Sequence, residues 1–379
     1  MTIEERLREV DGRPSGFDYM RLIVSLAVIC WHSVVTSYGT AAQDAIQNSI
    51  WRPLPTSIVP CFFAISGFLV AGSLERSKTI AGFLGLRVIR IYPALAVYAL
   101  LAALVMGPLL TDLSPARYFS DELFFRFLAG ISGHVSYVLP GVFLDNPKSL
   151  AVNGQLWTLP WELGCYITLS GLAILGFARH PRLLVLAIVI LWASASVLFF
   201  VRLDPGRAPT GLPAYLIVIT FLAGLALFLN RDRVPWSGKL CLFSVCLILV
   251  LTSFPLVGDL FAPLPMAYAT TYLGLCNPRK LKLLSGTDYS YGLFVYGYAI
   301  QQGFMSIGPA VQQWYINLVL AVPASLIAAA LSWHFVEKPA HELRRFIKQY
   351  EARAGAGIRW TPIGYAMSRL KPPKRVEAE

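Results

Sequence analysis

The chain has 379 residues, of which 56% are hydrophobic and only 14% are Asp, Glu, Lys or Arg, against about 25% charged residues in soluble domains. Uninterrupted apolar runs and a mean hydropathy of +0.59 exclude a soluble enzyme and imply an all-α membrane protein. The net charge of +11, from 32 Lys and Arg against 21 Asp and Glu, is spread over short loops and a basic tail; this excludes nucleic acid as a partner and leaves topology and membrane lipids as its use.

Residues 1–17 are a charged cytoplasmic segment, with Glu4, Glu5, Arg6, Arg8, Glu9, Asp11 and Arg13. The apolar run after them is long enough to span, so no cleavable signal peptide is expected. On a ruler of about 20 apolar residues per crossing, ten transmembrane helices follow. They lie at roughly 18–38, 54–72, 91–110, 156–177, 183–201, 211–229, 239–256, 258–276, 289–308 and 314–335. The long connection 111–155 contains an apolar piece, 123–143, interrupted by Arg126, Gly130, Gly133, His134 and Pro140; it reads as an interfacial or re-entrant loop rather than a span. The membrane domain thus covers 18–338. A basic cytoplasmic tail, 339–379, opens with an amphipathic helix near 340–353.

Charge tests this count independently. With both termini in the cytoplasm, 26 of the 32 Lys and Arg fall inside and only Arg52, Arg117, Arg126, Lys148, Arg202 and Arg207 outside, as the positive-inside rule requires. The six cysteines lie in or at the ends of apolar segments without any CxxC spacing, so neither a disulfide nor a metal site is expected.

Ionisable groups inside spans are costly and mark function by default. In the first span, Asp18 and Arg21 stand at i, i+3 and are placed to pair. His32 lies about 21 Å from the inner end of a core about 30 Å thick. It reads either as a core histidine bonded to a helix carbonyl or as a general base. Glu162, about 9 Å into the fourth span from outside, reaches a similar depth. A carboxylate beside a histidine fixes its tautomer and favours its charged form, although the same pair would also serve to hold two helices together. Arg87 and Arg90 share a helix face at the cytoplasmic mouth of the third span, where guanidinium forks suit phosphate oxygens or lipid headgroups. Ser66-Gly67 in the second span reads as a close-packing site.

Six segments in order carry a resemblance: FDYMRLIVSLAVICWH (Phe17 to His32), VPCFFAISGFLVAGSL (Val59 to Leu74), RVIRIYPAL (Arg87 to Leu95), LWTLPWELGCY (Leu156 to Tyr166), DYSYGLFVYG (Asp288 to Gly297) and FVEKPA (Phe335 to Ala340). Together the chain resembles the acyltransferase-3 family of integral membrane O-acyltransferases, which modify lipopolysaccharide, exopolysaccharide and Nod factor. The resemblance implies a bacterial inner-membrane enzyme that moves an acyl group, usually acetyl, from cytoplasmic acetyl-CoA to a hydroxyl of a glycan or lipid-linked saccharide. It implies His32 as the essential histidine, with Glu162 and Arg21 beside it in catalysis, and Arg87, Arg90 and Arg21 at the acyl-CoA. Two departures stand out. Tyr296-Gly297 occupies the place where many members have a second histidine, and the SGNH domain fused to some members is not expected. A glycolipid transporter or flippase is the rival reading, disfavoured by the lack of an internal repeat and by the phosphate-ready arginines.

Overall fold

A computed structural model describes residues 1–10, 14–176, 181–202, 214–255, 257–281 and 286–353. Asp11, Arg13, Arg179, Arg207, Lys282 and the tail beyond 353 lie outside the described residues. The helices are α1 (Ile3–Glu9), α2 (Gly16–Gln47), α3 (Pro53–Arg76), α4 (Ile80–Leu101), α5 (Gly107–Leu110), α6 (Pro115–Ser120), α7 (Glu122–Ala129), α8 (Leu159–Ile174), α9 (Pro181–Arg202), α10 (Ala214–Leu229), α11 (Gly238–Ser253), α12 (Val257–Phe261), α13 (Pro263–Leu275), α14 (Ser290–Met305), α15 (Trp314–Ser332), α16 (Lys338–Glu342) and α17 (Arg344–Arg353). Among the described residues β pairing is limited to two isolated bridges, Thr2 with Pro235 and Thr111 with Val142. The protein is all-α.

Helices occupy all ten apolar windows. Four segments are long and apolar enough to cross a membrane: Gly16–Gln47, Pro53–Arg76, Ile80–Leu110 and Trp314–Ala352. The apolar helices Arg182–Ser194, Ile217–Leu229 and Gly238–Ser253 are shorter. In 111–155 the longest helix is the eight-residue α7, and the chain from Gly133 to Asn153 has no helix.

Small residues and polar cross-links hold the bundle, as expected where apolar surface alone gives no preference between lipid and protein. Gly67 of α3 lies directly on the Phe221 carbonyl of α10, and Gly224 of α10 lies on the Ala64 carbonyl. A Cβ at either position would strike backbone. On the other side, α2, α14 and α15 are tied by Gln301, whose amide donates to the Ile29 carbonyl at 2.8 Å, and by Asn317, which donates to Thr36 Oγ1 at 3.1 Å. Gly292 meets Ala329 across the α14–α15 contact.

The two ends of the bundle differ in chemistry. At one end α1, closed by the Thr2/Glu5 capping box, is held by Arg231, which pairs with both Glu4 and Glu75. There too Glu351 of α17 accepts the backbone N–H groups of Lys78 and Thr79 at 2.9 and 3.1 Å, at the start of α4. The first and last described segments therefore meet at the α3–α4 corner. At the other end Arg52 grips both carboxylate oxygens of Asp259, at 3.1 and 2.5 Å, and also donates to the Thr252 carbonyl.

Candidate active site

α2 runs to Gln47, past the end of its apolar window, but breaks at Gly39, whose φ of +73° and ψ of -166° are not helical; His32 falls about two turns before that kink. Its half-buried ring opens on a cavity of about 540 Å³, within the roughly 300–1,000 Å³ of small-ligand sites. Tyr298 of α14 meets the imidazole edge-on, with ring centroids 5.0 Å apart. No described residue hydrogen-bonds either ring nitrogen, which leaves them to whatever enters the cavity. Trp31, Trp157, Tyr137 and Phe294 supply apolar faces around it, and Gln43, Gln47 and Gln155 supply amides.

A second, narrower cavity of about 40 Å³ lies between α2, α3, α4, α8 and α14. Arg21, Arg87 and Arg90 all line it, together with Glu162, Tyr166, Ser66 and Ser290. Three guanidinium groups from two helices repel one another, and Asp288, just before α14, offsets them. Its carboxylate pairs with Arg21, lies 3.4 Å from Arg90 and accepts from Ser290 Oγ at 2.6 Å. Burial alone would raise the Asp288 carboxyl, but Arg21 and then Arg90 hold it well below the usual carboxylate range, so it is ionised at neutral pH. Arg87 donates to Ser73 Oγ at 2.9 Å and lies 5.9 Å from the Tyr166 ring centroid. Even so, Arg21 and Arg87 each keep a buried Nε–H without a partner. The site has donors to spare for an anion.

A third cavity, about 260 Å³, opens beyond Arg21 and is lined by Asp18, Arg76, Lys280 and the rings of Phe17, Phe68 and Phe228. Arg21 and Leu69 border both this vestibule and the arginine passage. Phe294 borders both the passage and the His32 cavity. The three spaces form a series, from the end that holds both described termini to His32.

The structure brings together Arg21, Arg87 and Arg90, and it separates His32 from Glu162. Glu162 accepts the Tyr166 hydroxyl one turn along α8 and lines the arginine passage. Residues just ahead of it, Trp157 and Thr158, reach the His32 cavity instead. Similar depth fixes neither the side of a helix nor its start: Gly154–Thr158 is a 3-10 turn, and α8 begins only at Leu159. Asp18 likewise pairs with Lys280 at 2.5 Å rather than with Arg21. Ser66 has its side chain at the passage, while its neighbour Gly67 makes the close contact. Asp288 escaped the sequence reading because it precedes an apolar window and looks like a loop residue; three arginines needing a counter-ion were the available signal.

Comparison with known proteins agrees with this chemistry. The sequence model of a family described as an acyltransferase domain matches residues 15–337. An O-acetyl transferase of Shigella phage Sf6 is 26% identical over 330 residues, covering 85% of this chain and 94% of that protein. Nodulation protein 10 of Rhizobium leguminosarum bv. viciae is 31% identical over 364 residues, covering 88% of this chain and 95% of that protein. No solved structure matches the chain.

Proposed function

The chain belongs to the acyltransferase-3 family and is an O-acetyltransferase of the membrane; from that premise we propose that it carries an acetyl group from cytoplasmic acetyl-CoA to a sugar hydroxyl on the far side of a bacterial inner membrane. The observation that carries the reading is the series of cavities, with arginines between a basic vestibule and His32. In this reading the vestibule takes the nucleotide, and Arg21, Arg87 and Arg90 hold phosphate oxygens through charge-assisted bonds. The pantetheine arm runs through the passage toward Phe294. The acceptor, a glycan or lipid-linked saccharide, occupies the 540 Å³ cavity. The crossing of ten helices with both termini in the cytoplasm belongs to the same proposal; it is supported by the 26-to-6 division of Lys and Arg and by the meeting of the first and last described segments.

His32 acts as general base. Its imidazole takes the proton of the acceptor hydroxyl as that oxygen bonds to the thioester carbonyl carbon. The tetrahedral adduct then collapses with cleavage of the C–S bond, and the imidazolium returns the proton to the departing CoA thiolate. Tyr298 keeps the ring facing the cavity, and the arginines contribute by positioning the donor, an effect that reaches several kcal/mol. Glu162 belongs to donor positioning, through Tyr166 and the arginine passage. The test is turnover of radiolabelled acetyl-CoA by the purified protein with membrane glycan added. Wild type is expected to label the glycan and His32→Ala to lose roughly 10²–10⁴-fold in rate, the range for a general base. A variant that transfers label at the wild-type rate would remove His32 from the mechanism.

A further inference from the structure

The lining of the His32 cavity is one-sided in charge. Lys148 borders it, no Asp or Glu does, and Lys148 forms no ion pair among the described residues. This lysine is one of only six basic residues assigned to the outer side, so neither topology nor a counter-ion accounts for it.

The backbone that carries Lys148 is fixed. Gln302 of α14, fully buried, donates from Nε2 to the Lys148 carbonyl at 2.6 Å and to the Ala151 carbonyl at 2.7 Å. Asn146 donates back to the Gln302 carbonyl and side-chain oxygens at 3.0 and 3.1 Å. The Pro147 carbonyl rests against Gly39, 2.7 Å from where a Cβ would stand, and the Gly39 φ of +73° disfavours any side chain as well. Phe143 and Leu150, at the two ends of this loop, adopt φ of +59° and +66°, a left-handed conformation unusual for such residues. The irregular loop is thus anchored to α14 and α2 with the lysine between its anchors.

A second observation in the same cavity is independent of charge. Gln155 is 1% exposed; its Nε2 donates to the Val295 carbonyl at 2.7 Å, while its Oε1 has no partner. A buried acceptor left unpaired is costly unless a ligand supplies the donor. A hydroxyl does so. Together with the aromatic faces of Trp31 and Trp157, these groups match a sugar that carries hydroxyls and one negative charge.

We propose that the acceptor of the His32 cavity is an anionic saccharide, whose negatively charged oxygen is bound by Lys148 and one of whose ring hydroxyls donates to Gln155 Oε1. This rests on the acetyl-transfer reading for the cavity's use, but the binding stands apart from transfer. The charged oxygen has two possible sources: an acidic group on the sugar, or the diphosphate of a lipid carrier.

The test uses the full chain in nanodiscs and reads binding first. The probes are a glucuronate-bearing oligosaccharide, its carboxyl-reduced counterpart, and a neutral oligosaccharide with and without an undecaprenyl diphosphate carrier. Wild type should bind one charged probe at least tenfold tighter than its uncharged counterpart, with the difference shrinking as salt rises. Lys148→Gln should remove the difference, and Lys148→Arg should keep it. Gln155→Leu should weaken the charged and uncharged probes alike. Preference for glucuronate places the charge on the sugar; preference for the carrier-linked probe places it on the diphosphate. Equal binding of charged and uncharged probes, or a preference that survives Lys148→Gln, overturns the inference, and so does failure to bind any probe. Acetyl transfer to the same probes is then measured separately. Transfer to a neutral probe without charge preference refutes the anionic acceptor and leaves acetyl transfer standing, whereas charge-selective binding without transfer to any probe does the reverse.

Discussion

Glu162 and Asp288 both stand with the arginines rather than beside His32. Glu162 sits with the arginines, so Glu162→Gln is expected to leave the acid limb of the pH–rate profile where it is; a carboxylate beside His32 would move that limb by about one unit or more. The change should fall on KM for acetyl-CoA, rising roughly two- to fivefold, which corresponds to the about 0.5–1 kcal/mol of a cation–π contact such as that between Arg87 and Tyr166. A displaced acid limb would restore the pairing with His32. Asp288→Asn leaves Arg21 and Arg90 without their counter-ion and is expected to cost about 3 kcal/mol at neutral pH. Because the Asp288 carboxyl is held below its ordinary value, its contribution is full above the unfolded value of about 3.9 and fades as pH falls below it. The gap in unfolding free energy between wild type and variant should therefore narrow from pH 5 to pH 3 and close only as pH falls through the much lower folded value; a constant gap would refute the charge argument. That His32, Arg21, Arg87 and Arg90 were candidates was legible in the sequence, because ionisable groups in apolar runs stand out, and all four line cavities. Which of them meet was not, because depth along the membrane normal says nothing of the helix face.

At the scale of the helix, the windows near residues 54–72 and 211–229 found α3 and α10, but nothing in hydropathy shows that they press backbone against backbone. Gly67→Ala would drive a Cβ into the Phe221 carbonyl and is expected to destabilise the protein by about 2–3 kcal/mol, the cost of overpacking. Gly164→Ala in α8 meets no atom within 4 Å. It should instead leave stability unchanged or raise it by up to about 1 kcal/mol through helix propensity. Thermal unfolding in detergent compares the two, and equal effects would deny the α3–α10 contact. Helix ends were the least legible feature. A window of apolar residues measures bilayer thickness, whereas α2 kinks at Gly39 as the apolar stretch ends and resumes as a second helical piece carrying Gln43 and Gln47. That extension brings two of the three amides to the His32 cavity.

Across the whole molecule, the proposed reaction brings donor and acceptor in from opposite ends of one series of cavities. The vestibule and both described terminal segments share one end; the Lys148 loop and the Arg52–Asp259 pair share the other. All-α architecture and membrane residence were readable from composition, since few charges and long apolar runs permit little else. The cavities were not, because each arises where several segments fail to close, and no single segment records that. The most direct measurement places the two substrates on opposite sides of a membrane. Proteoliposomes are sorted so that the C-terminal tail faces out, as shown by its cleavage with external protease. Labelled acetyl-CoA is then added outside, with glycan acceptor trapped inside. The account predicts labelled glycan in the lumen with wild type and none with His32→Ala. Label appearing on glycan only when glycan and acetyl-CoA share one side would contradict it.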